Sequence, residues 1–227
     1  MRMPLIAGNW KMHKTIAEAV QLARGIREAV AGVEGVEVVL CPPYTALAAV
    51  EDVISNSKIG LGAQNMYFEE QGAFTGAISP LMLQGLCDYV IIGHSERRHI
   101  LGESQELIVE KFNYYKEKGF TVVYCIGEPI EVREEGNDAL MEYLEGQFEG
   151  IDLEYEKLII AYEPVWAIGT GVTPSEDDVE LIHTALRQKT DRPLLYGGSV
   201  KTANAKELLA LNNVDGALIG SGALNPE

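Results

Sequence analysis

Two side chains able to transfer protons stand where apolar runs of the sequence end. Glu163 follows the run 158–162, which is typical of a buried strand, and Pro164 prevents that strand from continuing. His94 follows a second run, 89–92, and precedes a short polar turn. Carboxylates and imidazoles are common general bases and acids. Taken alone, each has an ordinary alternative: a surface glutamate in a strand-to-helix loop, and a structural histidine.

The segment after Glu163 predicts a lid. It is apolar over residues 165–168 and rich in glycine over residues 169–171. The run Thr173-Pro174-Ser175-Glu176 has the pattern of a capping box with proline at the first helical position, so we predict that a helix begins there. An exposed Trp166 in a loop requires a reason, and closure over a ligand is one.

The polar turn that follows His94 predicts the protonation state of its imidazole. A helix N-terminus carries partial positive charge, which lowers the pKa of a nearby histidine. We therefore expect a neutral imidazole that donates a hydrogen bond to a substrate oxygen without being a strong acid.

Small residues follow the last two predicted strands, at 197–199 and at 220–222. Small residues let backbone N–H groups approach an anion closely, and barrel enzymes frequently bind phosphate after strands seven and eight. Lys11, after the first strand, would supply positive charge locally.

The composition limits the partners of the chain. It has 227 residues and a formal net charge of −16, which argues against nucleic acid and anionic membranes. An anionic substrate would have to be attracted locally, against the field of the whole chain. Three widely spaced cysteines indicate reduced thiols and no metal site. The first predicted strand begins within a few residues of the N-terminus, which predicts no signal peptide. No apolar stretch is long enough to span a membrane. We therefore predict a cytoplasmic location.

Short apolar runs alternate with amphipathic segments from end to end. We predict strands at 5–7, 36–41, 59–63, 89–92, 121–126, 158–162, 194–196 and 216–219. We predict a first helix that begins at the capping box of Thr15 and Glu18, and a later one that is capped by Asn204 and Glu207. Between these two, we predict helices over 44–53, 105–118 and 138–147 and one that begins at Ser79-Pro80.

Eight strands alternating with helices allow an open doubly wound sheet or a (β/α)8 barrel. Polar and glycine residues follow nearly every strand, which favours the barrel, and no GxGxxG follows the first strand. We predict one barrel domain over residues 1–227.

Several motifs together resemble the triosephosphate isomerase family from Ala7 to about Ala223. They are Ala7-Gly8-Asn9-Trp10-Lys11-Met12, Gln64-Asn65, Gly72-Ala73-Phe74-Thr75-Gly76, Ile92-Gly93-His94-Ser95-Glu96-Arg97-Arg98, Tyr124-Cys125-Ile126-Gly127-Glu128, and residues 161–171, 196–200 and 215–220. The resemblance implies interconversion of dihydroxyacetone phosphate and D-glyceraldehyde 3-phosphate through an enediol(ate), in glycolysis and gluconeogenesis, with no metal or cofactor.

The resemblance also implies the residue roles. Glu163 would be the base, His94 the proton shuttle, and Lys11 and Asn9 the groups that stabilise negative charge. The remaining assignments are the phosphate site (Gly169, Ser199, Gly220, Ser221), the lid (Pro164, Val165, Trp166, Ala167, Ile168, Gly169, Thr170, Gly171) with its latch Tyr196, and the supporting Glu96 and Cys125. A homodimer is implied, with the loop of Phe74 and Thr75 inserted beside Asn9 and Lys11 of the second copy.

The sequence departs from the family pattern at four places. Val172 stands where a lysine is usual, Ala77 where a glutamate is usual, and Ser221 where a second glycine is usual. The chain also stops soon after Ala223-Leu224, so the final outer helix is expected to be missing or truncated.

Two other functions remain as alternatives. A barrel that binds phosphate without turnover, kept as an interaction protein, is opposed by the presence of all four implied catalytic residues. An aldolase would need a Schiff-base lysine at a strand end or a cluster of metal-binding histidines, and the four histidines form no such cluster in sequence.

Overall fold

Eight parallel strands close into a barrel in the order β1 to β8 in the computed structural model, which describes residues 3–168 and 174–226. The strands are β1 (Leu5–Asn9), β2 (Glu37–Cys41), β3 (Ile59–Ala63), β4 (Tyr89–Ile92), β5 (Thr121–Ile126), β6 (Leu158–Tyr162), β7 (Leu194–Tyr196) and β8 (Gly216–Ile219). Six of the predicted strands have these same bounds; β1 is two residues longer, and β2 begins one residue later. The prediction of a barrel rather than an open sheet is confirmed.

The barrel closes where β1 pairs in parallel with β8, from Leu5 opposite Gly216 to Gly8 opposite Ile219. The backbones approach so closely there that a Cβ on Gly216 would lie 1.8 Å from the carbonyl oxygen of Leu5. Glycine is therefore required at the first closing pair, because any side chain would displace the neighbouring backbone.

The strands are buried on both faces. One face points into the barrel, where Leu5, Ala7, Val39, Cys41, Ile91, Val123, Cys125, Ile159, Ala161, Leu195 and Leu218 form an inner core. The other face packs against the surrounding helices in a larger outer core. Burial on both sides explains why the strands read as continuous apolar runs rather than as alternating ones.

The helices of the outer layer are α1 (Ile16–Val30), α2 (Leu47–Ile54), α3 (Pro80–Leu83), α4 (Gln105–Glu117), α5 (Ile130–Glu134), α6 (Asn137–Gly146), α7 (Glu176–Arg187) and α8 (Ala205–Leu209). Shorter 3-10 turns lie at Tyr44–Ala46, Val165–Ala167 and Ser221–Leu224, and a π-helical turn lies at Glu96–Ile100. The predicted capping box is confirmed at α1, where Thr15 Oγ1 accepts from the Glu18 N–H and the Thr15 N–H donates to Glu18 Oε2.

One predicted helix start and one predicted side-chain cap need correction. Helix α7 begins at Glu176, and its N-cap is Ser175, whose Oγ accepts from the Asp178 N–H at 3.1 Å; the predicted start two residues earlier is wrong. Asn204 does occupy the N-cap position of α8, but its side chain does not cap that helix.

The segment after β8 is short in the described part of the chain. It forms the turn Ser221–Leu224, whose Ala223 and Leu224 pack against the outer core. Pro226 lies against α1, because a Cβ on Gly25 would come within 2.9 Å of its side chain. Among the described residues, no helix is both long enough and apolar enough to cross a membrane.

Candidate active site

A cavity of about 650 Å³ opens at the carboxyl ends of the strands. Its walls come from the ends of β1, β4, β6, β7 and β8, which carry Asn9 and Lys11, residues 94–96, Glu163, residues 197–201 and residues 220–222. The barrel therefore brings together the residues that the sequence predicted as catalytic, although the segments that carry them lie far apart along the chain.

Glu163 and His94 are in direct contact within this cavity. His94 Nε2 lies 2.9 Å from Glu163 Oε1, and the Ser95 N–H donates to Glu163 Oε2 at 2.9 Å. Both side chains are buried. Burial raises the pKa of the Glu163 carboxyl, but the His94 imidazole and the Ser95 N–H lower it by more, so the net shift is downward. A buried carboxylate that stays ionised is suited to accept a proton.

The second imidazole nitrogen of His94 meets the start of the π-helical turn. The Glu96 N–H donates to Nδ1 at 3.2 Å. Because Nδ1 can accept only when it carries no proton, this contact favours the tautomer with its proton on Nε2, which then donates to Glu163. The predicted contact with a helical N-terminus is therefore present.

The predicted direction of the His94 pKa shift, however, is wrong for this arrangement. Burial lowers the pKa of the imidazole, but the adjacent Glu163 carboxylate raises it by more, so the pKa lies above its ordinary value. The sequence indicated the helical turn but gave no sign that the glutamate would lie against the ring.

Lys11 is held at the cavity in an uncommon backbone conformation. Its φ is 52°, in the left-handed region that side chains other than glycine rarely adopt. Asn9 Oδ1 accepts from the Lys11 N–H at 3.1 Å, Gln64 Nε2 donates to the Lys11 carbonyl at 2.9 Å, and the ammonium pairs with Glu96 Oε1 at 2.7 Å. Asn9 and Glu96 thus position Lys11. Gln64 also positions Lys11, a role that the sequence did not indicate, although Gln64 belongs to one of the family motifs.

The described part of the predicted lid begins with a short helical turn. Pro164 precedes the turn Val165–Ala167, and Ile168 follows it. Trp166 Nε1 donates to Glu128 Oε1 at 2.8 Å, and the Tyr162 hydroxyl donates to the same oxygen at 3.0 Å. Gly169, Thr170, Gly171 and Val172 lie outside the described residues.

Sequence reasoning missed Glu128, although it ends one of the family motifs. Its side chain is fully buried, and burial raises the pKa of its carboxyl. The signal available was a carboxylate two residues after the buried strand β5, similar to the signal that identified Glu163 directly after β6.

The small residues after β7 and β8 line one side of the cavity. Ser199 Oγ donates to the Ala167 carbonyl at 3.3 Å, which joins the loop after β7 to the lid. The backbone lies close to Lys11 at Gly220, where a Cβ would be 3.2 Å from Lys11 Cε, and Ser221 begins the turn that follows. These residues could hold an anion with backbone N–H groups.

Tyr196, the predicted latch, ends β7 beneath this loop. Its side chain is fully buried, and its hydroxyl has no hydrogen-bond partner among the described residues. A Cβ on Gly198 would lie 2.2 Å from that hydroxyl, so glycine is required beside it.

Cys125 lies inside the barrel and takes no part in the cavity lining. Burial raises the pKa of its thiol, which keeps it protonated and unreactive. Arg98 links the neighbouring strand ends, because its guanidinium donates to the carbonyls of Gly93 and Cys125 at 2.7 and 3.2 Å. Arg98 thus positions the turn that contains His94, a role that the sequence did not indicate.

The predicted dimer loop carries an aromatic cluster. The ring of Tyr67 lies 4.4 Å from that of Phe74 and 4.5 Å from that of Phe68. Phe74 is 42% exposed, and Thr75 is exposed beside it. Other apolar side chains are exposed in the segments after β1, β3 and β4, namely Met12, Leu81, Met82, Ile100 and Leu101.

The comparisons with known proteins agree on one family. The family model described as triosephosphate isomerase matches residues 4–227. The chain is 48% identical over 225 residues to a triosephosphate isomerase of Sulfurovum sp., covering 98% of this chain and 96% of the relative. It is 46% identical over 242 residues to one of Carboxydothermus hydrogenoformans, covering 100% and 96%, and 52% identical over 181 residues to one of Sulfurimonas denitrificans, covering 79% and 75%.

Proposed function

The chain belongs to the triosephosphate isomerase family, and from that premise we propose how the residues of its cavity carry out the reaction. The chain interconverts dihydroxyacetone phosphate and D-glyceraldehyde 3-phosphate, a step of glycolysis. This reaction moves one proton between two neighbouring carbons and a second between their oxygens. It therefore needs a base for carbon and an acid for oxygen at the same site.

Glu163 is the base for carbon in this proposal. Its carboxylate takes a proton from the carbon beside the carbonyl and returns it to the neighbouring carbon. The support is the lowered pKa of its carboxyl and its position in the cavity. Before it can act, the carboxylate has to leave the His94 imidazole, with which it is in contact at 2.9 Å.

His94 serves the oxygens. Its Nε2–H, which donates to Glu163 in this arrangement, becomes available to the substrate carbonyl when the carboxylate turns to the carbon. The single observation that carries the proposal is this contact, because it holds a base and a proton donor together at the ends of β6 and β4 in one cavity. Lys11 and Asn9 stabilise the negative charge that develops on the enediolate oxygens.

The phosphate group binds to backbone N–H groups after β7 and β8, at Ser199, Gly220 and Ser221, with Gly169 of the lid. Closure of residues 164–171 over the substrate, latched by Tyr196, excludes water and keeps the enediolate from losing its phosphate. The support is the contact between Ser199 and Ala167, which already couples the two loops.

The test replaces Glu163 by glutamine and measures isomerisation of glyceraldehyde 3-phosphate. The loss of general base catalysis should lower kcat by about 10²- to 10⁴-fold, while inorganic phosphate still binds. Glu142→Gln is the matched control, because Glu142 is exposed on α6, outside the cavity lining. A Glu163→Gln variant with nearly normal kcat would contradict the assignment.

The chain forms a homodimer in this proposal. The support is the exposed apolar surface after β1, β3 and β4 and the aromatic loop of Phe74 and Thr75, which needs a partner to pack against. Thr75 of one copy would approach Lys11 of the other. In sedimentation equilibrium Met82→Glu should shift the chain toward monomer, whereas Leu181→Glu, an equally apolar exposed site on α7, should not. Equal behaviour of the two variants would argue against the interface.

We also place the protein in the cytoplasm. Cys41, Cys87 and Cys125 are all buried thiols without a disulfide, as expected in a reducing compartment. Fractionation of cells that express the protein tests this assignment, and recovery outside the cytoplasmic fraction would contradict it.

A further inference from the structure

The charges around the cavity do not by themselves attract a phosphate dianion. Among the described residues that line it, the cationic side chains are Lys11 and Lys201, and the carboxylates are Glu96 and Glu163. Lys11 is already paired with Glu96 at 2.7 Å. The chain as a whole carries a net charge of −16, so an approaching dianion meets a repulsive field.

Lys201 differs from Lys11 in being an exposed cation at the edge of the cavity. It follows the Ser199-Val200 segment of the loop after β7. No ion pair joins its ammonium to another residue in the described part of the chain. A flexible lysine side chain that is not already neutralised can reach toward an anion in solvent.

Two hydrogen bonds of the Asn204 side chain hold the backbone around Lys201 in place. Asn204 Oδ1 accepts from the Lys201 N–H at 2.7 Å, and Asn204 Nδ2 donates to the Ser199 carbonyl at 3.0 Å. The Lys201 carbonyl accepts from the Ala205 N–H at 2.9 Å. Asn204 thus orders the loop in place of capping α8, and this keeps Lys201 beside the residues proposed to hold the phosphate.

We propose that Lys201 is a substrate-capture residue, whose ammonium attracts the phosphate group to the cavity before the lid closes. The inference rests on the assignment of the loops after β7 and β8 as the phosphate site. Lys201 acts through its charge at the edge of the cavity, where it offsets the acidic surface. Lys11 acts deeper, next to the reacting oxygens.

The experiment compares Lys201→Gln, Lys201→Glu and Lys201→Arg with the wild type. Its matched control is Lys58→Glu, which changes the net charge by the same amount as Lys201→Glu. Lys58 is exposed just before β3, at the opposite end of the barrel from the cavity. Two quantities are measured from low to high ionic strength: kcat/KM for glyceraldehyde 3-phosphate, and the dissociation constant of inorganic phosphate by calorimetry.

At low ionic strength, Lys201→Gln should lower kcat/KM about threefold and Lys201→Glu about tenfold. Both variants should keep the wild-type kcat and should weaken phosphate binding by similar factors. The differences should shrink as salt screens the charge. Lys201→Arg should match the wild type, and Lys58→Glu should change neither quantity by more than a small fraction of these effects.

Three results would overturn the inference: equal effects of Lys58→Glu and Lys201→Glu, a loss confined to kcat, or a loss that salt does not reduce. The phosphate measurement needs no turnover. If the wild type bound phosphate in a Lys201-dependent way but did not isomerise the substrate, the proposed catalytic roles would fail and the role of Lys201 would stand.

Discussion

His183 should make the folded protein lose stability as the pH falls below neutrality. The side chain lies on α7 with no solvent exposure. Its Nδ1 lies 3.0 Å from the Asn213 carbonyl, and its Nε2 has no partner among the described residues. The rings of Tyr162 and Tyr196 lie 5.9 and 6.5 Å away. Burial disfavours the imidazolium in this setting and lowers the pKa of His183 to about 4.

The size of the effect follows from the difference between the folded and unfolded states. An unfolded histidine has a pKa of about 6.5, so above that pH neither state binds the proton. Between pH 6.5 and 4 the unfolded chain binds a proton that the folded chain does not. The free energy of unfolding therefore falls by about 1.4 kcal/mol for each pH unit, to a total of about 3 kcal/mol near pH 4.

The assay is urea unfolding of the wild type and of His183→Gln between pH 4.5 and 8, at one fixed protein concentration. Glutamine keeps an N–H that can donate to the Asn213 carbonyl, but its side chain binds no proton in this pH range. Other groups titrate alike in both proteins, so the difference between the two free energies isolates His183. The advantage of the wild type should shrink steadily below pH 6.5. His99→Gln serves as the control: the His99 side chain is exposed, so the difference between this variant and the wild type should change with pH by much less. Parallel curves for the wild type and His183→Gln would refute the reasoning.

Three further predictions concern the stability of the barrel and its layers, and urea unfolding measures each. Thr15→Ala removes the capping box of α1 and should cost about 1 kcal/mol; no change would mean that the cap contributes nothing. Gly127→Ala puts a Cβ 1.8 Å from the backbone carbonyl oxygen of the proposed base, so it should cost about 1–3 kcal/mol and lower kcat, whereas Gly146→Ala, which meets nothing within 4 Å, should do neither. Lys111→Met removes a buried ammonium that pairs with Glu103, and because Arg97 still binds that carboxylate at 2.7 Å it should cost about 1–3 kcal/mol; a variant as stable as the wild type would show that the pair is dispensable.

The strands were predictable because each one is buried on two faces. The interior of the barrel and the ring of helices both exclude water, so every position of a strand favours an apolar residue. The polar residue after each run then marks the end that faces the cavity. Glu163 and His94 could be identified in this way, and so could the small residues of the loops after β7 and β8.

The start of α7 was not predictable in the same way. Thr173 and Ser175 are both good N-cap residues, and each is followed three residues later by an acidic residue, Glu176 or Asp178. Pro174 at the first helical position favours Thr173 as the N-cap in the sequence, but in the structure the N-cap is Ser175, whose side chain accepts from the Asp178 N–H. Two nearly equivalent local signals cannot be ranked without the packing of the helix against the barrel.

Contacts between loops were beyond sequence reasoning altogether. The ion pair of Lys11 with Glu96 and the hydrogen bond of Trp166 with Glu128 join segments whose proximity depends on the register of the closed barrel. The pKa of His94 depends on the position of one rotatable side chain, Glu163. Neither kind of information is carried by the local pattern of residue types.

The pairing of Leu5 with Gly216 has a consequence for the order of folding. It joins the two strands that are farthest apart along the chain, and the entropy of closing so long a loop makes it the slowest pairing to gain. Asn9 and Lys11 lie at the carboxyl end of β1, and Gly220 and Ser221 lie at the carboxyl end of β8, so the pairing brings them together at the same end of the barrel. A nascent or partly folded chain without this pairing has Asn9 and Lys11 separated from the rest of the proposed active site, so recovery of activity on refolding reports the closing of the barrel itself.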